Sequence, residues 1–166
     1  MTAPRALLTG SPVIAGAAAG PLLVSSEPLS FWGGYDQTTG EIIDRRHPLS
    51  GRNAAGCVLA VPFSRGSSTT TAVLLESVRR HKNPAAILTT SADSFFALAS
   101  IVADEMYGRS IPVVALSAEE FQRLELGMAA VVHVDGTVEV HASTESLMLR
   151  GGRPHSSSGN GEEAMS

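Results

Sequence analysis

Apolar residues occur along this chain in short runs, and the spacing of the runs changes partway. Residues 6–9 and 22–25 are brief apolar runs set off by Gly, Pro and Ala, the pattern of strands joined by turns. Residues 27–56 show no apolar period and are rich in turn residues: Gly33-Gly34, Thr39-Gly40 and His47-Pro48. A segment of that length without periodicity is usually functional or covered by a partner.

From Cys57 onward the runs alternate with helical patterns. Residues 57–62 predict a buried strand, followed by a turn at Ser64-Arg65-Gly66-Ser67-Ser68. A helix is expected from near Ser68, with Leu74, Leu75 and Val78 on one face and Arg79 and Arg80 in its last turns. Residues 85–89 predict the next strand. Ser91 or Asp93 then caps a helix in which Phe95, Leu98, Ala99, Val102 and Met106 recur at helical spacing. Residues 111–116 predict a third strand, and Ser117 with Glu120 forms a capping box for a short helix ending at Gly127. Such alternation with short loops predicts βαβ units and a mainly parallel sheet. Asp135-Gly136 predicts a closing hairpin with a two-residue turn. That register would set His133 opposite Val138 and His141 on the other face. Both histidines then read as strand-surface residues unable to share a metal.

Composition narrows the functional classes. The 166 residues are 43% hydrophobic and 17% charged, enough for one core and low in charge for a soluble chain. A formal net charge of -4 without a Lys/Arg cluster argues against nucleic acid. No apolar run approaches the ~20 residues of a membrane span. The first ten residues hold one Arg and no long apolar core, so no cleaved signal is expected and the cytoplasm is the expected compartment. Cys57 is the only cysteine, which excludes an internal disulfide and an iron–sulfur cluster or Cys-rich zinc site held by this chain alone. Residues 151–166, small and polar and including His155, are expected to form a disordered tail behind a domain spanning 1–150.

One loop stands out. Ser64 to Thr71 lies where a strand ends and a helix begins, the usual ligand position in an open α/β sheet. Free N–H groups and the helix dipole favour a carboxylate or phosphate there, and Gly66 permits close approach to the backbone. By pattern alone, capping by Ser67 or Ser68 is the commoner explanation. The loop matches neither a phosphate-binding P-loop nor a hydrolase nucleophile elbow.

Several runs together resemble one family. They are Pro28-Leu29-Ser30-Phe31-Trp32-Gly33-Gly34, Thr39-Gly40-Glu41, Asp44, His47-Pro48-Leu49, Gly51 and Arg65-Gly66-Ser67-Ser68. The likeness continues through Ala72-Val73-Leu74-Leu75-Glu76, Pro84-Ala85-Ala86-Ile87 and Ile101-Val102-Ala103-Asp104-Glu105-Met106-Tyr107-Gly108. This combination resembles the small subunit of the aconitase X family, over roughly residues 6–140. The resemblance implies an α/β swivelling β/β/α domain like the mobile last domain of aconitase, with a β-rich N-terminal part. It also implies a two-chain hydro-lyase of cytoplasmic location. Its large subunit would carry the iron–sulfur cluster, and this chain would bind no cofactor of its own.

The same resemblance implies roles for residues. In aconitase-type enzymes the first Ser of a Gly-Ser-Ser motif removes the substrate's α-proton, which makes Ser67 the expected general base. Ser68, Arg65 and Gly66 become expected substrate contacts. Gly33 and Gly34 would present backbone to a small hydroxy-acid substrate, although a tight turn explains them equally well. Asp44, Arg46 and His47 would line the cleft between subunits or form a structural loop network. Phe31 and Trp32 read as core or interface, and Cys57 as a small core hydrophobe. Thr69 stands where aconitase has a substrate-binding Arg, which argues against a tricarboxylate. The activities implied are dehydration of cis-3-hydroxy-L-proline, favoured by likeness of residues 67–71 and 94–99 to bacterial members, or of mevalonate 5-phosphate. Two other classes are a swivelling phosphohistidine carrier using His47 and a non-catalytic binding module.

Overall fold

A computed structural model describes residues 3–66 and 68–143. Ser67 and the tail at 151–166, about which the sequence raised expectations, lie outside the described residues.

The chain opens with β1 (Ala6–Thr9), β2 (Ser11–Ile14), β3 (Ala18–Val24) and the short β4 (Leu29–Ser30). The βαβ half follows as β5 (Val58–Ala60), β6 (Ser64–Arg65), α1 (Thr69–Arg79), β7 (Ala86–Thr89), α2 (Ser94–Tyr107) and β8 (Val113–Ala115). It ends with α3 (Ala118–Phe121), β9 (Ala129–Val132) and β10 (Thr137–His141).

Eight strands form one sheet in the order β1-β10-β9-β3-β5-β7-β8-β2, while β4 pairs with β6 in a separate ribbon. Strands β3, β5, β7 and β8 are mutually parallel. The pairs at either end are antiparallel. The sheet is therefore mixed rather than mainly parallel. Its two outermost strands, β1 and β2, are consecutive in the chain and separated only by Gly10, so the sheet curls into a near-barrel. This is the expected swivelling β/β/α architecture, with α1 and α2 on one side.

Two cores follow from that curl. Leu8, Leu22, Val58, Leu88, Val114, Val132 and Val138 fill the inside, closed by Phe121, Leu124 and Met128. Leu23, Leu59, Ile87 and Val113 face the other way and pack with Val73, Leu74 and Val78 of α1 and Phe96, Ala99 and Ala103 of α2. Strands covered on both faces need unbroken apolar runs, which is why β5 and β7 do not alternate. Residues 27–56 also belong to this second core through Leu29, Phe31, Tyr35, Ile42 and Leu49. Phe31 stacks near Tyr35 at 5.3 Å and meets Phe96 edge-on at 5.5 Å. The Tyr35 hydroxyl donates to the Lys82 carbonyl at 2.6 Å.

Two expectations are corrected. The buried stripe of α2 is Phe96, Ala99, Ser100 and Ala103, while Leu98 and Met106 are exposed. Small residues let α2 lie close to its neighbours, and Ser100 Oγ exchanges hydrogen bonds with the Ile111 N–H and carbonyl, both at 2.7 Å. The hairpin turn also has three residues rather than two: His133 N–H donates to the Thr137 carbonyl, and Gly136 takes φ +93. Val138 consequently pairs with Val132, not His133. His133, Glu139 and His141 fall on one face, and His141 is buried rather than on the surface. Glu139 joins the two rings, its Oε2 2.5 Å from His133 Nε2 and its Oε1 3.1 Å from His141 Nε2.

Candidate active site

The loop after β5 is positioned by one carboxylate. Asp93 Oδ2 accepts from both the N–H and the Oγ of Ser64, each at 2.8 Å. Its other oxygen caps α2 by accepting from the N–H groups of Phe95 and Phe96 at 3.0 and 3.1 Å. The start of the loop is thus tied to the start of the neighbouring helix. Thr71 Oγ1 adds a second tie, donating to the Phe95 carbonyl at 3.3 Å.

The ribbon β4–β6 brings the long turn-rich segment to the same place. Leu29 pairs with Ser64 and Ser30 with Arg65, in parallel register. Gly34 lies so close to the Ser30 carbonyl that a Cβ there would stand 2.1 Å from its oxygen. Ser30 therefore stands beside Arg65, with Gly34 packed on the Ser30 carbonyl. Arg65, Gly66 and Ser68 are exposed, and Gly66 holds φ +117, a conformation open to Gly and strained for other residues.

Helix α1 begins without a side-chain cap. Ser68 has helical dihedrals and makes no capping bond, and the first turn holds no acidic residue. The capping role weighed for Ser68 is absent. The first N–H groups of any helix lack intrahelical acceptors, so this end presents positive potential toward Arg65 and Gly66.

Of the two readings of His47, cleft residue or loop network, the geometry fits the loop network. His47 is buried; its Nδ1 accepts from the Leu49 N–H at 3.1 Å, and its Nε2 lies 3.4 Å from the Glu27 carbonyl. Asp44 likewise serves its own loop, accepting from the Arg46 N–H at 3.0 Å. Both hold the turn-rich segment in shape. Ser30 and Asp93, by contrast, hold the loop without having been singled out as site residues; Ser30 stood only within the family-like run and Asp93 only as a helix cap.

No donor set for a metal or cluster exists among the described residues. Cys57 is buried, its Sγ 3.4 Å from the Asn53 carbonyl, and burial pushes its thiol up, away from the thiolate a ligand needs. Nor is any described helix long and apolar enough to cross a membrane.

The aconitase X swivel domain matches residues 7–140. The chain belongs to that family. It is 45% identical over 135 residues to a cis-3-hydroxy-L-proline dehydratase of Pseudomonas aeruginosa, covering 81% of this chain and 23% of the relative. This swivel protein therefore spans about a quarter of that dehydratase. It is 33% identical over 134 residues to the phosphomevalonate dehydratase small subunit of Thermococcus kodakarensis, covering 80% of this chain and 95% of that one. The crystal structure of Thermococcus kodakaraensis aconitase X in its holo-form contains a chain that superposes with a TM-score of 0.72 at 31% identity. The superposition covers 81% of this chain and 98% of that chain.

Proposed function

We propose that this swivel protein is the small subunit of a two-chain dehydratase and that Ser67 is its general base. The observation that carries the reading is the near-complete coverage of separate small subunits, joined with the exposed Arg65-Gly66 and Ser68 around Ser67. In this reading the substrate's α-proton passes to Ser67 Oγ. The C–H electron pair forms the new double bond as the neighbouring C–O bond breaks, and the departing hydroxide takes the proton back from Ser67 Oγ to leave as water. A serine alkoxide is costly in water but is favoured beside Arg65 and the open end of α1, shielded from solvent. Arg65, Gly66 and Ser68 bind the substrate, and Gly33 and Gly34 border it.

The iron–sulfur cluster implied by the family has no donor set among the described residues, and this reading assigns it to the large subunit. The substrate favoured is cis-3-hydroxy-L-proline, supported by the 45% identity to the Pseudomonas aeruginosa enzyme. Mevalonate 5-phosphate is the second reading, supported by the length match to the archaeal small subunits. A phosphohistidine carrier would need an exposed ring at His47, which is buried.

The decisive experiment substitutes Ser67 in the reconstituted pair. Ser67→Ala should lower kcat by at least ~10²-fold with little change in KM, the scale of a positioned general base. A pure cap would instead lose about 1 kcal/mol of stability and keep its turnover. Normal turnover by Ser67→Ala removes the assignment.

A further inference from the structure

Thr70 is 1% exposed, and its Oγ1 has no hydrogen-bond partner among the described residues. A Thr hydroxyl in a helix usually bonds back to the carbonyl four residues earlier, here that of Gly66. This one does not, and a buried hydroxyl without a partner carries its whole desolvation cost. It is aimed at a specific space. The point where a Cβ on Gly66 would stand lies 3.9 Å from Thr70 Oγ1 and 4.0 Å from Ser30 Oγ. Two hydroxyls from separate elements thus converge on the position that Gly66 leaves open. Ser30 Oγ has only a long bond to the Trp32 carbonyl, at 3.3 Å, to give up. The same space borders the uncapped start of α1, an eleven-residue helix with no acid in its first turn. The Asp93 carboxylate is engaged through both oxygens, by Ser64 and by the start of α2.

We infer that Thr70 Oγ1, Ser30 Oγ and the first-turn N–H groups of α1 form an oxyanion seat over Gly66. The seat takes one carboxylate or phosphate group, with Thr70 and Ser30 donating to its oxygens. An anion there would satisfy the orphan hydroxyl and the helix end together, which neither Ser68 nor any first-turn side chain does. The inference rests on the dehydratase reading for the identity of the substrate, but the seat itself does not require Ser67.

The test titrates the full-length, ¹⁵N-labelled chain with inorganic phosphate and, separately, with acetate. Saturable shifts of the Thr69–Thr71 amides are expected with at least one ion, and the tighter ion tells whether a phosphate or a carboxylate belongs there. Thr70→Val should weaken that binding by at least ~10-fold, the scale of a hydrogen bond to a charged group. Thr70→Ser should retain it. Thr70→Val should also melt no lower than wild type, because it removes an unpaired buried hydroxyl at constant shape. Absence of saturable shifts with both ions, or equal binding by Thr70→Val and wild type, overturns the seat. Ser67→Ala in the reconstituted pair separates the two ideas. Full turnover by that variant refutes the general base and leaves the seat standing, whereas an inactive Ser67→Ala together with no saturable ion binding by the wild-type chain refutes the seat and leaves the general base.

Discussion

Asp93 grips Ser64 through a single carboxylate oxygen, which accepts both the backbone N–H and the Oγ at 2.8 Å. Because the other oxygen caps α2, helix start and loop start move as one unit. Asp93→Ala should lose the cap and the loop tie together, costing about 2–3 kcal/mol. Asp93→Asn is more informative. An amide presents one acceptor oxygen and one donor nitrogen, so either orientation serves only one of the two partners. Expected are a loss of about 1 kcal/mol in urea unfolding and a clear drop in turnover of the reconstituted pair. Wild-type stability together with wild-type turnover in Asp93→Asn would show that the bridge does not position the loop.

The βαβ half of the fold was legible because its strands are covered on both faces and its helices carry a 3.6-residue period. Val58, Leu59 and Ala60 are all buried, as a continuous apolar run requires. The antiparallel half was harder. The strands on either side of Gly10 end up at opposite edges of the sheet, and no local signal encodes that separation. In α2 ten of fourteen positions are apolar, so several stripes fit the period equally. The choice fell to small residues and to the Ser100–Ile111 bonds, which are tertiary facts. The loop at 64–71 could be picked out from its place between strand and helix. Its company could not: Ser30 comes from a segment without periodicity, and its register with Arg65 exists only once the ribbon forms. Thr70 looked like one threonine in a row of three, and only burial distinguishes it.

The surface of α1 supplies a pH test. Glu76 contacts Arg79 and, at 2.7 Å, Arg80, and hydrogen bonds from Arg79 and then Arg80 hold its carboxyl down at about 2 from an ordinary value near 4.5. A carboxyl with a depressed folded value stabilises the fold above its unfolded pKa and loses that contribution as pH falls through the folded value. The window is therefore between about 4.5 and 2. Glu76 is half-buried but its partners Arg79 and Arg80 are exposed, so the effect is small and weakened by salt. Glu76→Gln should melt slightly below wild type at pH 7, with the gap closing as pH is lowered through this window. A gap that persists undiminished at pH 2 would place its origin outside the charge pair.

Trp32 is the one tryptophan of the sequence and is 69% exposed, although its neighbour Phe31 is buried. An indole of that size left in water next to Ser30, Gly33 and Gly34 is the residue type that anchors interfaces. In the two-chain reading, the large subunit covers this face and buries more than the roughly 1,000 Å² that a stable complex needs. The single indole then reports assembly directly. Adding large subunit to the isolated chain should move the tryptophan emission to shorter wavelength, provided that the partner's own emission is subtracted or its tryptophans are replaced. The two chains should also elute together in gel filtration. Trp32→Ala should weaken the complex by at least ~30-fold, the scale of an interface hot spot of about 2 kcal/mol, while leaving the melting of the isolated chain nearly unchanged. Co-elution without a spectral shift would keep the complex but move its interface away from residues 27–56. Separate elution at micromolar concentration would count against a stable pair altogether.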